Sequence, residues 1–128
     1  KLLLQPGQKV LDIGCGWGGL ALYLARHADV EVTGLTLSTE QLRIARERAK
    51  QAGLSDRVQF LTEDYREHRG DYPRIVSVGM FEHVGRRHYP AFFSTVSERL
   101  TDDGIALLHT IGTSGPAQPT NPWVHKHI

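Results

Sequence analysis

The stretch that most constrains this chain is residues 9–19, KVLDIGCGWGG. Val10, Leu11 and Ile13 form a short apolar run that ends in Gly14, Gly16, Gly18 and Gly19, and the helical-looking LALYLARH follows. Apolar run, glycine turn and helix make a strand–loop–helix unit. Glycines let such a turn take positive φ and bring bare main chain close to a ligand. The helix behind it directs its unpaired N–H groups into the loop. The pattern predicts a cofactor loop; a glycine-rich turn with no ligand is the competing reading.

Gly14-Cys15-Gly16-Trp17-Gly18-Gly19 satisfies G-x-G-x-x-G, the dinucleotide fingerprint, but alone that match is weak. Two features argue against NAD. Asp12 lies inside the strand, where a parallel strand buried on both faces is normally apolar. A buried carboxylate is costly unless paired, so Asp12 is expected to brace the loop or face the ligand. An NAD site also wants an acid about 20 residues beyond the glycines, on the ribose. That region reads Val32-Thr33-Gly34-Leu35-Thr36, with no acid.

The rest of the chain alternates strand and helix patterns. Strands are predicted at 9–14, 30–36, 57–62, 74–79 and 105–111. Helices are predicted at 18–28, from Ser38 to about Ala52, and from about Arg87 to Leu100, the last with Phe93, Val96 and Leu100 inward. Ser38-Thr39-Glu40-Gln41 is a capping-box pattern, and Gly53 closes that helix. Residues 1–5 read as the last turn of a helix, 63–73 as a loop or short irregular helix, and Asp102-Asp103-Gly104 as a turn. From Gly112 onward three prolines and no periodicity indicate a loop or a truncated connector. The alternation predicts an α/β doubly wound parallel sheet, in strand order 3-2-1-4-5, with the ligand beyond the strands' C-terminal ends.

At 128 residues this is one domain. The net charge of +1 gives no argument for nucleic acid. One cysteine, Cys15, excludes an internal disulfide and fits a reducing, cytoplasmic setting. No apolar run approaches the ~20 residues of a membrane-spanning helix. The seven histidines show no metal spacing, so no metal site is expected. Lys1 in place of Met suggests a start inside a longer chain.

VLDIGCGWGG resembles motif I of the S-adenosyl-L-methionine (SAM) dependent methyltransferases, in which an Asp precedes G-x-G-x-G. Three further stretches, GLTLSTEQ (34–41), SVGMFEHVG (77–85) and LHTIG (108–112), resemble the cyclopropane-fatty-acyl-phospholipid synthases and the related mycolic acid cyclopropane synthases. Together the four cover the chain from about Pro6 to Gly112. The resemblance implies a Rossmann-like methyltransferase fold whose C-terminal strands are missing here. It implies that Val10, Leu11, Asp12, Ile13, Gly14, Cys15, Gly16, Trp17 and Gly18 line the methionine and ribose part of SAM. Thr36 and Gln41 would hold the ribose hydroxyls, with Leu37 and Ser38 beside them. Glu63 and Asp64 would flank the adenine, the Asp64 carboxylate accepting from its amino group. Glu82, His109 and the Ile111 main chain would hold a bicarbonate ion, taken in this family to be the base. The implied reaction adds a methyl or methylene group to the cis double bond of a phospholipid acyl chain.

Several residues carry a second reading. Gln41 is also the third helical residue of the capping box, and Asp64 also suits a turn cap. A histidine within IALLHTI is often a satisfied core residue, whereas an unpaired Glu82 beside Met80 and Phe81 would be expensive unless functional. His83 reads as structural, and Cys15 as a small loop residue. Arg86, Arg87, His88 and Tyr89 suit either lipid phosphates or a solvated helix start. His125 and His127 stay unassigned. For the whole, a SAM methyltransferase acting on a small O, N or C nucleophile and a non-catalytic SAM-fold module remain alternatives. The chain is expected to be an inactive fragment of a peripheral enzyme at the inner membrane surface. Its fifth strand is expected to form an edge open to a second copy or to the 112–128 tail.

Overall fold

The computed structural model describes residues 2–81 and 84–110. The expectations on Glu82, His83 and Ile111 and on the 112–128 tail lie outside these residues. The elements follow the predicted alternation: β1 (Lys9–Ile13), α1 (Gly19–Ala28), β2 (Glu31–Thr36), α2 (Thr39–Gln51), β3 (Val58–Thr62), β4 (Tyr72–Val78), α3 (Tyr89–Arg99) and β5 (Leu100–His109). All four pairings are parallel, and the sheet order is β3-β2-β1-β4-β5, as expected.

Side-chain alternation along β1 divides the interior in two. Val10 faces one core, with Ala21 and Ala25 of α1, Ala45 and Ala49 of α2, and Phe60 of β3. Leu11 and Ile13 face the other, with Leu35, Ile75, Phe81 and Phe92 of α3. Small alanines on α1 and α2 let both helices lie close on the sheet, and burial of these apolar side chains is the main force holding the layers together. Ser38 caps α2, its Oγ accepting from Gln41 N–H at 3.2 Å.

Four sequence-based expectations change. Residues 2–5 are not helical. Leu2 packs into the first core, and buried Arg74 binds this segment, its Nε donating to Leu2 O at 2.6 Å and its Nη2 to Leu3 O at 3.2 Å. β4 starts two residues early, at Tyr72, because Tyr72 pairs with Leu100, and the register then slips before Arg74 pairs with Ile105. β5 therefore starts at Leu100, and the expected turn at 102–104 is a bulge between those two pairs. The last helix begins at Tyr89, after a 3₁₀ turn at Arg86–His88. Its inward face is set by Phe92, not Phe93. Phe92 packs edge-on against Phe81 and Tyr65 at centroid distances of 5.0 and 5.4 Å. Phe93, about 100° further round the helix, is 51% exposed.

Candidate cofactor site

The C-terminal ends of β1, β2, β3 and β4 converge on a cavity of about 690 Å³, within the range of roughly 300–1,000 Å³ usual for small-molecule sites. Its floor is the turn after β1. Gly14 and Cys15 N–H both donate to Leu35 O, at 3.0 and 2.8 Å, tying the turn to the end of β2. Gly18 N–H closes it on Cys15 O at 3.0 Å, and Arg48 Nη1 holds Trp17 O at 2.9 Å from α2.

Two glycines in this turn have distinct jobs. Gly18 has φ +86°, and a Cβ there would stand 2.8 Å from the Phe60 ring and 3.0 Å from Ala45. It lets the start of α1 pack onto β3 and α2. Gly16 has φ +57° and lines the cavity, yet a Cβ there would meet nothing within 4 Å. Its main chain faces open space. No side chain caps α1 at Gly18, so the donors of its first turn have no side-chain acceptor.

Asp12 lies directly below this turn and is 2% exposed. Its Oδ2 has no hydrogen-bond partner among the described residues. Burial pushes its pKa up to about 7. The neighbouring Cys15 thiol is pushed up to about 12, by burial first and by the Asp12 charge second. It is a packed thiol, 8% exposed.

Along the β2 wall, Thr36 Oγ1 donates to Gln41 Oε1 at 3.0 Å and accepts from Ser38 N–H at 3.1 Å. The capping box is thus only half made, since the Gln41 side chain turns to Thr36 rather than to the Ser38 amide. Gln41 keeps its amide NH₂ for another acceptor. Beyond β3, Asp64 starts a tight turn. Its Oδ1 accepts from Arg66 N–H at 2.9 Å, and its Oδ2 accepts from Arg66 Nη2 at 2.7 Å. The Arg66 guanidinium holds the Asp64 carboxyl below the usual carboxylate range. Asp64 therefore does cap a turn.

Of the expected cofactor residues, Ile13, Gly14, Gly16, Thr36, Leu37, Ser38, Gln41, Glu63 and Asp64 line one cavity. Val10 and Leu11 do not. They are fully buried, one in each core, because mid-strand residues of a central parallel strand have no free face. Asp12, Cys15, Trp17 and Gly18 shape the turn from behind or beside it. Of the expected catalytic residues only His109 is described. It ends β5, opposite Val78, with its ring exposed and its carbonyl accepting from Gly79 N–H at 2.9 Å. Val78, Met80, Val84, Tyr65, Arg66 and His88 also line the cavity and were not singled out as cofactor residues. Val78, Met80 and Val84 lie within the quoted SVGMFEHVG stretch; Tyr65 and Arg66 carry no signal beyond following a strand end. Among the described residues no group of three or more His, Cys, Asp or Glu is placed to hold a metal ion.

Comparison with known proteins identifies the group this cavity belongs to. The family model for mycolic acid cyclopropane synthetase matches residues 1–128, the whole chain. The chain belongs to the mycolic acid cyclopropane synthetase family. It is 51% identical over 128 residues to the cyclopropane-fatty-acyl-phospholipid synthase of Escherichia coli K12, covering all of this chain and 32% of that protein. Among solved structures it is similar to mycolic acid cyclopropane synthase CmaA1 complexed with SAH and CTAB, with a TM-score of 0.79 and 38% identity over 84% of this chain and 38% of that one. It is also similar to the cyclopropane synthase MmaA2 from Mycobacterium tuberculosis, with a TM-score of 0.84 and 34% identity over 98% of this chain and 46% of that one. The chain thus spans about a third of the length of the E. coli relative. Membership of this family agrees with the four sequence stretches and with the sheet order.

Proposed function

We propose that the full-length protein carrying this chain is a SAM-dependent transferase that builds a cyclopropane ring on the cis double bond of an unsaturated phospholipid acyl chain. The observation that carries this reading is the 51% identity, over the whole chain, to the E. coli protein named for that activity. The cavity suits the cofactor's chemistry. It offers the open main chain at Gly16, and behind that turn stand the uncapped donors at the start of α1 and a buried Asp12 oxygen without a partner among the described residues. These groups fit a ligand with both a carboxylate and an ammonium.

Ile13, Gly14 and Gly16 would hold the methionine end, with Asp12, Cys15, Trp17 and Gly18 keeping the turn in shape. The Gln41 amide, aimed by Thr36, would donate to a ribose hydroxyl, and Leu37 and Ser38 complete that wall. Glu63 and Asp64 would flank the adenine. When bound, SAM supplies an electrophilic methyl group on a sulfonium. An alkene is a weak nucleophile, so the protein's main task is to hold it in line and close to that methyl. Apolar Val78, Met80 and Val84 line the opposite wall and would keep water from that region once substrate is bound. Glu82, His109 and the Ile111 main chain would orient bicarbonate, which supplies a base when bound; the support for this is the sequence resemblance.

The same reading places the protein in the cytoplasm, touching the inner membrane surface where acyl chains are reached. No helix among the described residues is long and apolar enough to cross a membrane. β5 is an edge of the sheet, and an open edge invites pairing with a second copy.

The test is lipid analysis of bacteria that lack cyclopropane lipids and express the full-length protein. Ring-bearing acyl chains, at the expense of cis-unsaturated ones, are expected. Unchanged lipids together with SAM consumption on a small O, N or C nucleophile would replace this reading with that alternative.

A further inference from the structure

Beneath the adenine side of the cavity lies a buried polar chain that no sequence motif announced. His68 is 8% exposed, and its two ring nitrogens are both engaged. Nδ1 is 3.1 Å from Glu63 Oε1, and Nε2 is 2.8 Å from the Tyr72 hydroxyl. The turn that Asp64 starts makes this possible, since Asp64 O accepts from Glu67 and His68 N–H, folding the chain back under β3. One neutral tautomer satisfies every group. Nδ1–H donates to the carboxylate, and Nε2 accepts from the Tyr72 hydroxyl. Tyr72 is itself buried in the second core, so the far end of the chain is anchored in β4.

Glu63 is the only member of this chain that reaches the cavity. Its main chain is fixed as well, with Glu63 N–H donating to Thr36 O at 3.2 Å. Its Oε1 is taken by His68, and its Oε2 makes no hydrogen bond among the described residues. Its neighbour differs, because both Asp64 oxygens are held by Arg66. Of the two carboxylates on this wall, Glu63 is the one that combines a fixed position with a free acceptor.

We propose that His68, backed by Tyr72, is a positioning residue that aims the Glu63 carboxylate at a donor group on the nucleoside part of the cofactor. This rests on the SAM reading above. It adds Glu63 to Asp64 as an acceptor on this wall. A carboxylate held by a buried partner needs no reorganisation when the ligand arrives, so the hydrogen bond it makes keeps its full strength. The effect is on cofactor affinity and not on the transfer step, because the wall carrying Glu63 lies across the cavity from Val78 and Met80.

The test uses the full-length protein and measures SAM affinity by titration, KM for SAM and kcat for each variant. His68→Leu removes both contacts and should raise Kd and KM for SAM about tenfold, the usual loss for a charge-assisted hydrogen bond, with kcat little changed. His68→Asn keeps a donor near the Nδ1 position and should recover most of the affinity, which a purely structural role for the ring would not allow. In a Glu63→Ala background His68→Leu should have almost no further effect, because it acts through Glu63. Thermal unfolding of each variant separates affinity loss from misfolding. Unchanged SAM affinity in His68→Leu would overturn the proposal, as would an equal loss with and without Glu63. A wild-type protein that binds no SAM would instead bring down the cofactor reading and this proposal with it.

Discussion

Asp12 combines a buried carboxylate, an Oδ2 with no partner among the described residues and a pKa pushed up to about 7 from 3.8. A carboxyl whose pKa rises on folding is protonated in the native state while the unfolded chain has already lost its proton. Stability is therefore lost as pH climbs from about 4 to about 7, by an amount on the order of 4 kcal/mol if the whole shift is realised. Denaturant unfolding across that range should show the decline, and Asp12→Asn should flatten it. Glu82 and His109 make a different prediction, on rate. In the full-length protein Glu82→Gln should lower turnover by about 10²–10⁴-fold, the usual loss for a positioned base, while SAM affinity holds. His109→Ala should act alike, and the double variant should be little worse than either, since the two would serve one ion. Steady-state rates with and without added bicarbonate check this, and losses that simply multiply would contradict it.

The turn between β1 and α1 shows how an element is built from two glycines with opposite tolerances. Gly18→Ala forces a side chain at φ +86° into Phe60 and Ala45 and should cost about 2–4 kcal/mol of stability in denaturant unfolding. Gly16→Ala meets no atom within 4 Å and should cost only about 1 kcal/mol, the penalty of positive φ. It should weaken SAM binding more than it weakens the fold. Both roles were foreseeable in kind from Gly-x-Gly-x-Gly, but which glycine packs and which faces open space depends on Phe60, far along the chain. The elements that the sequence misplaced fail for similar reasons. Phe92 and Phe93 are equally apolar and both reach the Phe81 ring, and it is the further contact of Phe92 with Tyr65 that chooses between them. Helical spacing in KLLLQ is overridden by a single buried Arg74 that takes the Leu2 and Leu3 carbonyls. Strand order and the cavity's edge were legible because alternating β and α patterns leave few topologies. The His68 chain was not, because its members become neighbours only through the turn at Asp64.

At the scale of the whole molecule, four of the five parallel strands gather residues from Ile13 to His88 at one edge of the sheet. Arg74 ties the N-terminal segment to the opposite side of that sheet. Arg74→Met should leave three carbonyls, of Leu2, Leu3 and Pro73, without this donor and cost about 2–4 kcal/mol, with residues 2–5 losing protection first in hydrogen exchange. The account's central claim concerns the cavity's contents and product: SAM in this site gives its methyl carbon to a lipid double bond. The most direct measurement incubates the full-length protein with SAM carrying a fully deuterated methyl group and a cis-unsaturated phospholipid, and reads the acyl chains by mass spectrometry. The account predicts acyl chains that gain one carbon and keep two of the three deuterons, because one leaves from the new methyl as the ring closes. Lipid that gains no carbon from SAM, while the protein demonstrably binds SAM, would contradict it.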